Sequence, residues 1–132
     1  MSGEWLTRPS PRFVMGAFLV SGVVHLVRPA VFEPSIPRAL PKPREIVQIS
    51  GVVELACAAG LAAGAGWAGR ASAVVLLGVW PANLQMALDA TTQARDSGQP
   101  RDIVRAALTW ARMPLQIPMI RAVLTPPARI PA

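Results

Sequence analysis

His25, Glu54, Asn83 and Arg112 are strongly polar residues, and each interrupts a different apolar stretch of this chain. A charge placed in hydrocarbon costs about 2.5–3.5 kcal/mol on insertion scales. Such groups are tolerated together when they converge on an interior and satisfy one another. Glu54 and Arg112 are the natural ion pair of the set, because a guanidinium fork fits a carboxylate and each offsets the other's burial. In a ligand site, Arg112 would stabilise anionic oxygen with Glu54 as its counter-ion, and His25 would exchange protons near the surface. Asn83 offers an amide that donates and accepts. Gln116, one turn beyond Arg112, is a fifth candidate contact. Blander roles compete: a buried pair that only fixes helix register, a site used by a partner protein's helix, an interfacial hydrogen-bonded His25, an Asn83 that repairs a broken helix, and a Gln116 that packs helices.

The residues that must carry these groups read as helices. Helix 1 is expected over about 10–27, with Ser10 as N-cap, Pro11 at the first helical position and Pro29 beyond its end. Ala17, Ser21 and His25 share one of its faces, and Gly22 adds a small surface for close packing. A Pro-rich interfacial loop follows over 28–43. Helix 2 is expected over about 44–64, where Ala56, Gly60 and Gly64 form a small-residue stripe suited to tight helix contact. Ser50, Glu54 and Cys57 lie on another flank. Helix 3 is expected over about 70–88, after a turn in which Trp67 and Arg70 suit the headgroup level. Pro81 leaves the carbonyl of Leu77 to a neighbour or to water. A polar loop over 89–100 leads to helix 4 over about 101–124, with Asp102, Arg105, Thr109, Arg112 and Gln116 in one polar stripe and a tail over 125–132. No segment alternates with period two, so strands are not expected.

At about 1.5 Å per residue, Glu54 and Arg112 lie at similar depth, roughly 15 Å from the side bearing the first and third loops. Asn83 lies roughly 8 Å from that side and His25 about 3–5 Å. The polar groups therefore form a ladder from one face toward the midplane.

Composition supports a membrane setting. Of 132 residues, 52% are hydrophobic and 15% charged, against about 25% charged in soluble domains. The apolar residues come in blocks. The expected fold class is all-α, an integral membrane antiparallel four-helix bundle in a single transmembrane domain. The net charge of +6 does not point to nucleic acid, since the arginines flank or interrupt apolar blocks and form no basic patch with interleaved aromatics. Cys57 has no cysteine with which to form a disulfide or redox pair and reads as a small core residue. His25 lacks a second histidine or cysteine at ligand spacing, so no metal is expected. Phosphate-loop, nucleophile-elbow and zinc-hydrolase signatures are missing. The run after Arg8 and Arg12 ends in His25-Leu26-Val27-Arg28-Pro29, a poor cleavage site, and reads as an uncleaved membrane helix. The distribution of Arg and Lys42 between the two sides weakly favours a cytoplasmic placement of the first and third loops.

The assembled stretches resemble the DoxX-like family of small four-helix membrane proteins. The resemblance rests on His25-Leu26-Val27-Arg28-Pro29 with Phe32, on Pro37 and Leu40-Pro41-Lys42-Pro43, and on Ile49-Ser50-Gly51-Val52-Val53-Glu54. It continues through Pro81-Ala82-Asn83-Leu84-Gln85-Met86-Ala87 and Arg112-Met113-Pro114-Leu115-Gln116. Relatives often carry a Gly pair where this chain has Ala56-Cys57-Ala58-Ala59, and a proline in the short loop that here reads Gly66-Trp67-Ala68-Gly69-Arg70. The resemblance implies four transmembrane helices around a polar interior. Family members are associated with quinone-linked sulfur oxidation, with membrane oxidoreductase complexes, or with maturation of partner proteins.

The expected protein is thus a multi-pass component of the cell inner (plasma) membrane. His25, Glu54, Asn83, Arg112 and Gln116 line its polar pocket, a quinone or lipid is the expected ligand, and a membrane oxidoreductase is the expected partner. It is expected to act as an accessory subunit rather than a stand-alone enzyme, in contact with the lipid bilayer and in one copy or as a homo-oligomer. The alternative is a non-catalytic assembly or scaffold factor for a partner protein. A transporter would need an oligomer to enclose a path.

Overall fold

A computed structural model describes residues 10–125. The flanking Arg8 and Arg129, and the expected tail from residue 126 onward, lie outside the described residues. Those described are helical throughout, with no strand. The α-helices are α1 (Pro11–Val27), α2 (Pro43–Ala62), α3 (Ala68–Ser97) and α4 (Pro100–Leu124).

Proline sets three of the four starts. Pro11, Pro43 and Pro100 each stand at the opening of a helix, where the missing N–H is an orphan anyway and the fixed φ already suits the helix. Before α2 the chain passes through Lys42 in the left-handed region, at φ 55°. Pro29 stops α1, and the chain bends by 103° into a segment of two short 3-10 turns, Pro29–Val31 and Glu33–Ser35. The expected interfacial loop is therefore partly ordered into tight turns, and an exposed ion pair from Arg44 Nε to Glu33 Oε1, at 3.0 Å, ties it to the start of α2.

The largest departure from the sequence reading is the length of α3. Residues 89–97, expected as loop, continue the helix to Ser97. They are polar but contain no breaker before Gly98. Gln85 donates to Asp89 at 2.9 Å one turn on, and Thr91 and Thr92 bond back to the carbonyls of Ala87 and Leu88. Gly98, at φ 63°, provides the left-handed residue that ends the helix. Only Gly98 and Gln99 then separate α3 from α4. Ser97 Oγ donates to the buried Asp102 carboxylate in the first turn of α4, and Trp110 Nε1 donates to Thr91 Oγ1 at 2.8 Å. These bonds hold the extension of α3 against α4.

The helices pack mainly as two pairs, α1 on α2 and α3 on α4, joined by α2 against α3 and by a lighter α1–α4 contact. Val14 and Phe18 of α1, Cys57 and Ala58 of α2, Ala73 and Leu76 of α3, and Met119 and Val123 of α4 form one buried cluster. α1 and α2 approach each other closely at Gly22 and Gly51. A Cβ on Gly51 would sit 2.9 Å from the Gly22 carbonyl oxygen and 2.8 Å from His25 Cβ. The expected stripe of Ala56, Gly60 and Gly64 does not serve as a helix seam. Ala56 and Gly64 are exposed, Gly64 is a turn residue at φ 69°, and Gly60 receives Trp67 and Ala68 instead. Gly69 does the same for α3 and α4, lying against the backbone of Val123.

The outward faces are apolar: Val27 is 70% exposed, Val20 and Val74 68%, and Ile49 63%. Two helices, α2 and α3, are long and apolar enough to cross a membrane, each with a mean hydropathy of 1.5 over its most apolar stretch.

Candidate ligand cavity

His25, Glu54, Asn83, Arg112 and Gln116 all line one cavity of about 610 Å³. Each of the four helices contributes, and so does the 3-10 segment, through Phe32 and Ser35. The remaining lining is mostly apolar, with Phe13, Phe18, Leu76 and Met119 among it. A concave, largely apolar space with a few convergent polar groups is the usual form of a small-molecule site.

The polar wall is built at the α1–α2 crossing. Because neither Gly22 nor Gly51 has a side chain, α1 lies close enough to α2 that His25 Nδ1 stands 3.4 Å from Glu54 Oε2. Glu54 is 4% exposed. His25 Nδ1 also bonds to the main-chain oxygen and the hydroxyl of Ser21, one turn earlier on α1. The ring of Phe32 stacks on the imidazole, centroids 4.1 Å apart and planes 6° from parallel.

The expected Glu54–Arg112 ion pair does not form. The partner of Glu54 is His25, and the ion pairs among the described residues are His25–Glu54 and Arg44–Glu33. Arg112 is an exposed residue on the cavity wall that it shares with Glu54. Equal depth along two helices does not fix the direction in which their side chains point, and α1 rather than α4 packs closely on α2. The polar stripe of α4 divides accordingly: Asp102, Thr109 and Gln116 turn inward, while Arg105 and Arg112 are exposed.

Gln116 joins α4 to the proline break in α3. Its Nε2 donates to the carbonyl of Leu76 at 3.1 Å, one residue before the carbonyl that Pro81 deprives of its helical partner. Gln116 Oε1 and Glu54 Oε2 are buried without a hydrogen bond among the described residues. Asn83 is half-buried, two residues after Pro81. Cys57, 1% exposed, belongs to the core rather than to the cavity.

The sequence reading did not assign Ser21, Ser50 or Phe32 to the site, although all three line it. Ser21 carried a signal, its spacing of four from His25 on one helical face. Phe32 carried only its place in the Pro-rich segment and in the family resemblance, since nothing local announces that this segment folds back over the end of α1.

Residues 14–125 match a sequence family described as a domain of unknown function, DUF8561. The chain belongs to this family. No curated protein and no solved structure matches it. The matched region of this DUF8561 member runs from the first core residue of α1 to the end of α4, and so takes in every residue of the cavity lining except Phe13.

Proposed function

We propose that this chain is a DoxX-like protein of the inner membrane, an antiparallel four-helix bundle whose cavity binds a small amphipathic ligand such as a quinone or a lipid headgroup in support of a membrane redox complex. The observation that carries this reading is the meeting of His25, Glu54, Asn83, Arg112 and Gln116, drawn from four helices, on one otherwise apolar cavity. Independent structural roles for these residues would not require a shared space. The membrane setting is supported by two helices of spanning length and by the apolar outward faces.

In this reading the apolar lining takes the ring or acyl part of the ligand and the polar wall takes its oxygen atoms. Arg112 attracts negative charge at the exposed side, and the His25–Glu54 pair handles protons at the buried side. The test is native mass spectrometry of the protein released from mild detergent, with extraction of bound lipids and quinones, on the natural chain and on Glu54→Ala. A bound amphipathic molecule that is lost from a normally folded variant supports the reading. Full retention of ligand and complex activity by Glu54→Ala overturns it. A stable protein partner with no small molecule bound would favour the assembly-factor role instead.

A further inference from the structure

We infer that the cavity takes its ligand by a hydroxyl group that donates to His25 Nε2 while Glu54 Oε2 stands beside Nδ1 of the same ring; this rests on the cavity being a ligand site. A main-chain carbonyl oxygen can only accept, so the bond between His25 Nδ1 and the Ser21 oxygen puts a proton on Nδ1. In the neutral ring, Nε2 then carries a lone pair. No described residue bonds to Nε2, and His25 lines the cavity. Phe32 lies flat on the ring and fixes its plane. Glu54 Oε2 stands 3.4 Å behind Nδ1. A carboxylate beside one imidazole nitrogen stabilises the imidazolium that forms when the other takes a proton.

Glu54 itself lines the cavity, so its carboxyl group is part of the same polar wall. The charged groups that line the cavity with His25 are Glu54 on α2 and Arg112 on α4, while α3 brings the amide of Asn83 and the 3-10 segment brings Phe32.

A hydroxyl serves this wall in both proton states. It donates to neutral Nε2. When its O–H bond breaks, the proton passes to Nε2, the electron pair stays on oxygen, and that oxygen accepts from Nε2–H. An ether or ester oxygen only accepts. An apolar ring bearing a hydroxyl and a hydroxyl-bearing lipid headgroup share this chemistry.

The experiment uses the full chain in phosphatidylcholine nanodiscs, whose headgroups have no hydroxyl, with protein-free discs subtracted. Para-hexylphenol is expected to bind at least about tenfold tighter than its methyl ether, the factor equivalent to about 1.4 kcal/mol. His25→Gln is expected to bring that ratio close to one. With an alkylated nitrophenol, the visible absorbance of bound phenolate is expected at lower pH than in protein-free discs, and Glu54→Gln, read at a phenol concentration that saturates the variant, is expected to abolish that difference. Displacement of the phenol by phosphatidylglycerol assigns the hydroxyl to a headgroup; no displacement assigns it to a ring. Equal binding of phenol and ether to the natural chain overturns the inference without need of a variant, and leaves the cavity as a ligand site. Binding of neither overturns both.

Discussion

Replacing Gly51 by alanine tests whether the close crossing of α1 and α2 creates the His25–Glu54 pair. The added methyl would lie 2.8 Å from His25 Cβ and 2.9 Å from the Gly22 carbonyl oxygen, neither of them the tip of a flexible side chain. Reaching ordinary carbon contact of about 3.5 Å requires the helices to part by roughly 0.7 Å. Overpacking of this kind costs about 1–3 kcal/mol, against which alanine's better helix propensity returns up to about 1 kcal/mol. Gly16 and Gly78 supply the control, since nothing lies within 4 Å of a Cβ at either position. Alanine there is expected to be neutral or stabilising by up to about 1 kcal/mol. Thermal unfolding of the three variants in one detergent should therefore rank Gly51→Ala below Gly16→Ala and Gly78→Ala by about 1–3 kcal/mol. The widened crossing should also carry Nδ1 and Oε2 beyond their present 3.4 Å and weaken phenol binding. A Gly51→Ala protein as stable as Gly16→Ala, with unchanged phenol binding, would refute the reasoning.

Gln116→Leu removes a donor to the Leu76 carbonyl, which keeps its place in the α3 ladder, and should lower stability by no more than about 1.5 kcal/mol in thermal unfolding. Gly98→Ala forces a side chain into the left-handed turn that ends α3 and should cost about 1–2 kcal/mol, read in the same assay. Arg44→Ala removes an ion pair whose arginine side chain is 62% exposed. It should change stability by no more than about 1 kcal/mol, and by less at high salt, so a large salt-independent loss would show that the Glu33 segment depends on Arg44 for more than charge.

Part of the helix register was legible because proline marks it: Pro11 opens α1 where the sequence places its start, while Pro43 and Pro100, read as the last residues of loops, open α2 and α4 one residue earlier than expected. The end of α3 was not legible by polarity. Residues 89–97 look like loop on composition, but a helix stops for a conformational reason, and the first such reason is Gly98. The convergence of the five polar candidates was readable from their placement along separate apolar segments. Their pairing was not. Counting residues gives axial position, whereas the partner of Glu54 depends on which helix lies closest to α2, and Gly22 and Gly51 decide that. These glycines are weak signals beside the more regular Ala56–Gly60–Gly64 stripe, which the fold leaves largely unused for helix contact.

The two helix pairs meet along a thinner seam than the one that binds each pair internally, and the cavity wall draws on both halves. Its girth is therefore governed by how far two stiff leaves stand apart. Guests of different width would be accommodated by a slight opening of the book, with the His25–Glu54 couple undisturbed because both residues are printed on the same leaf.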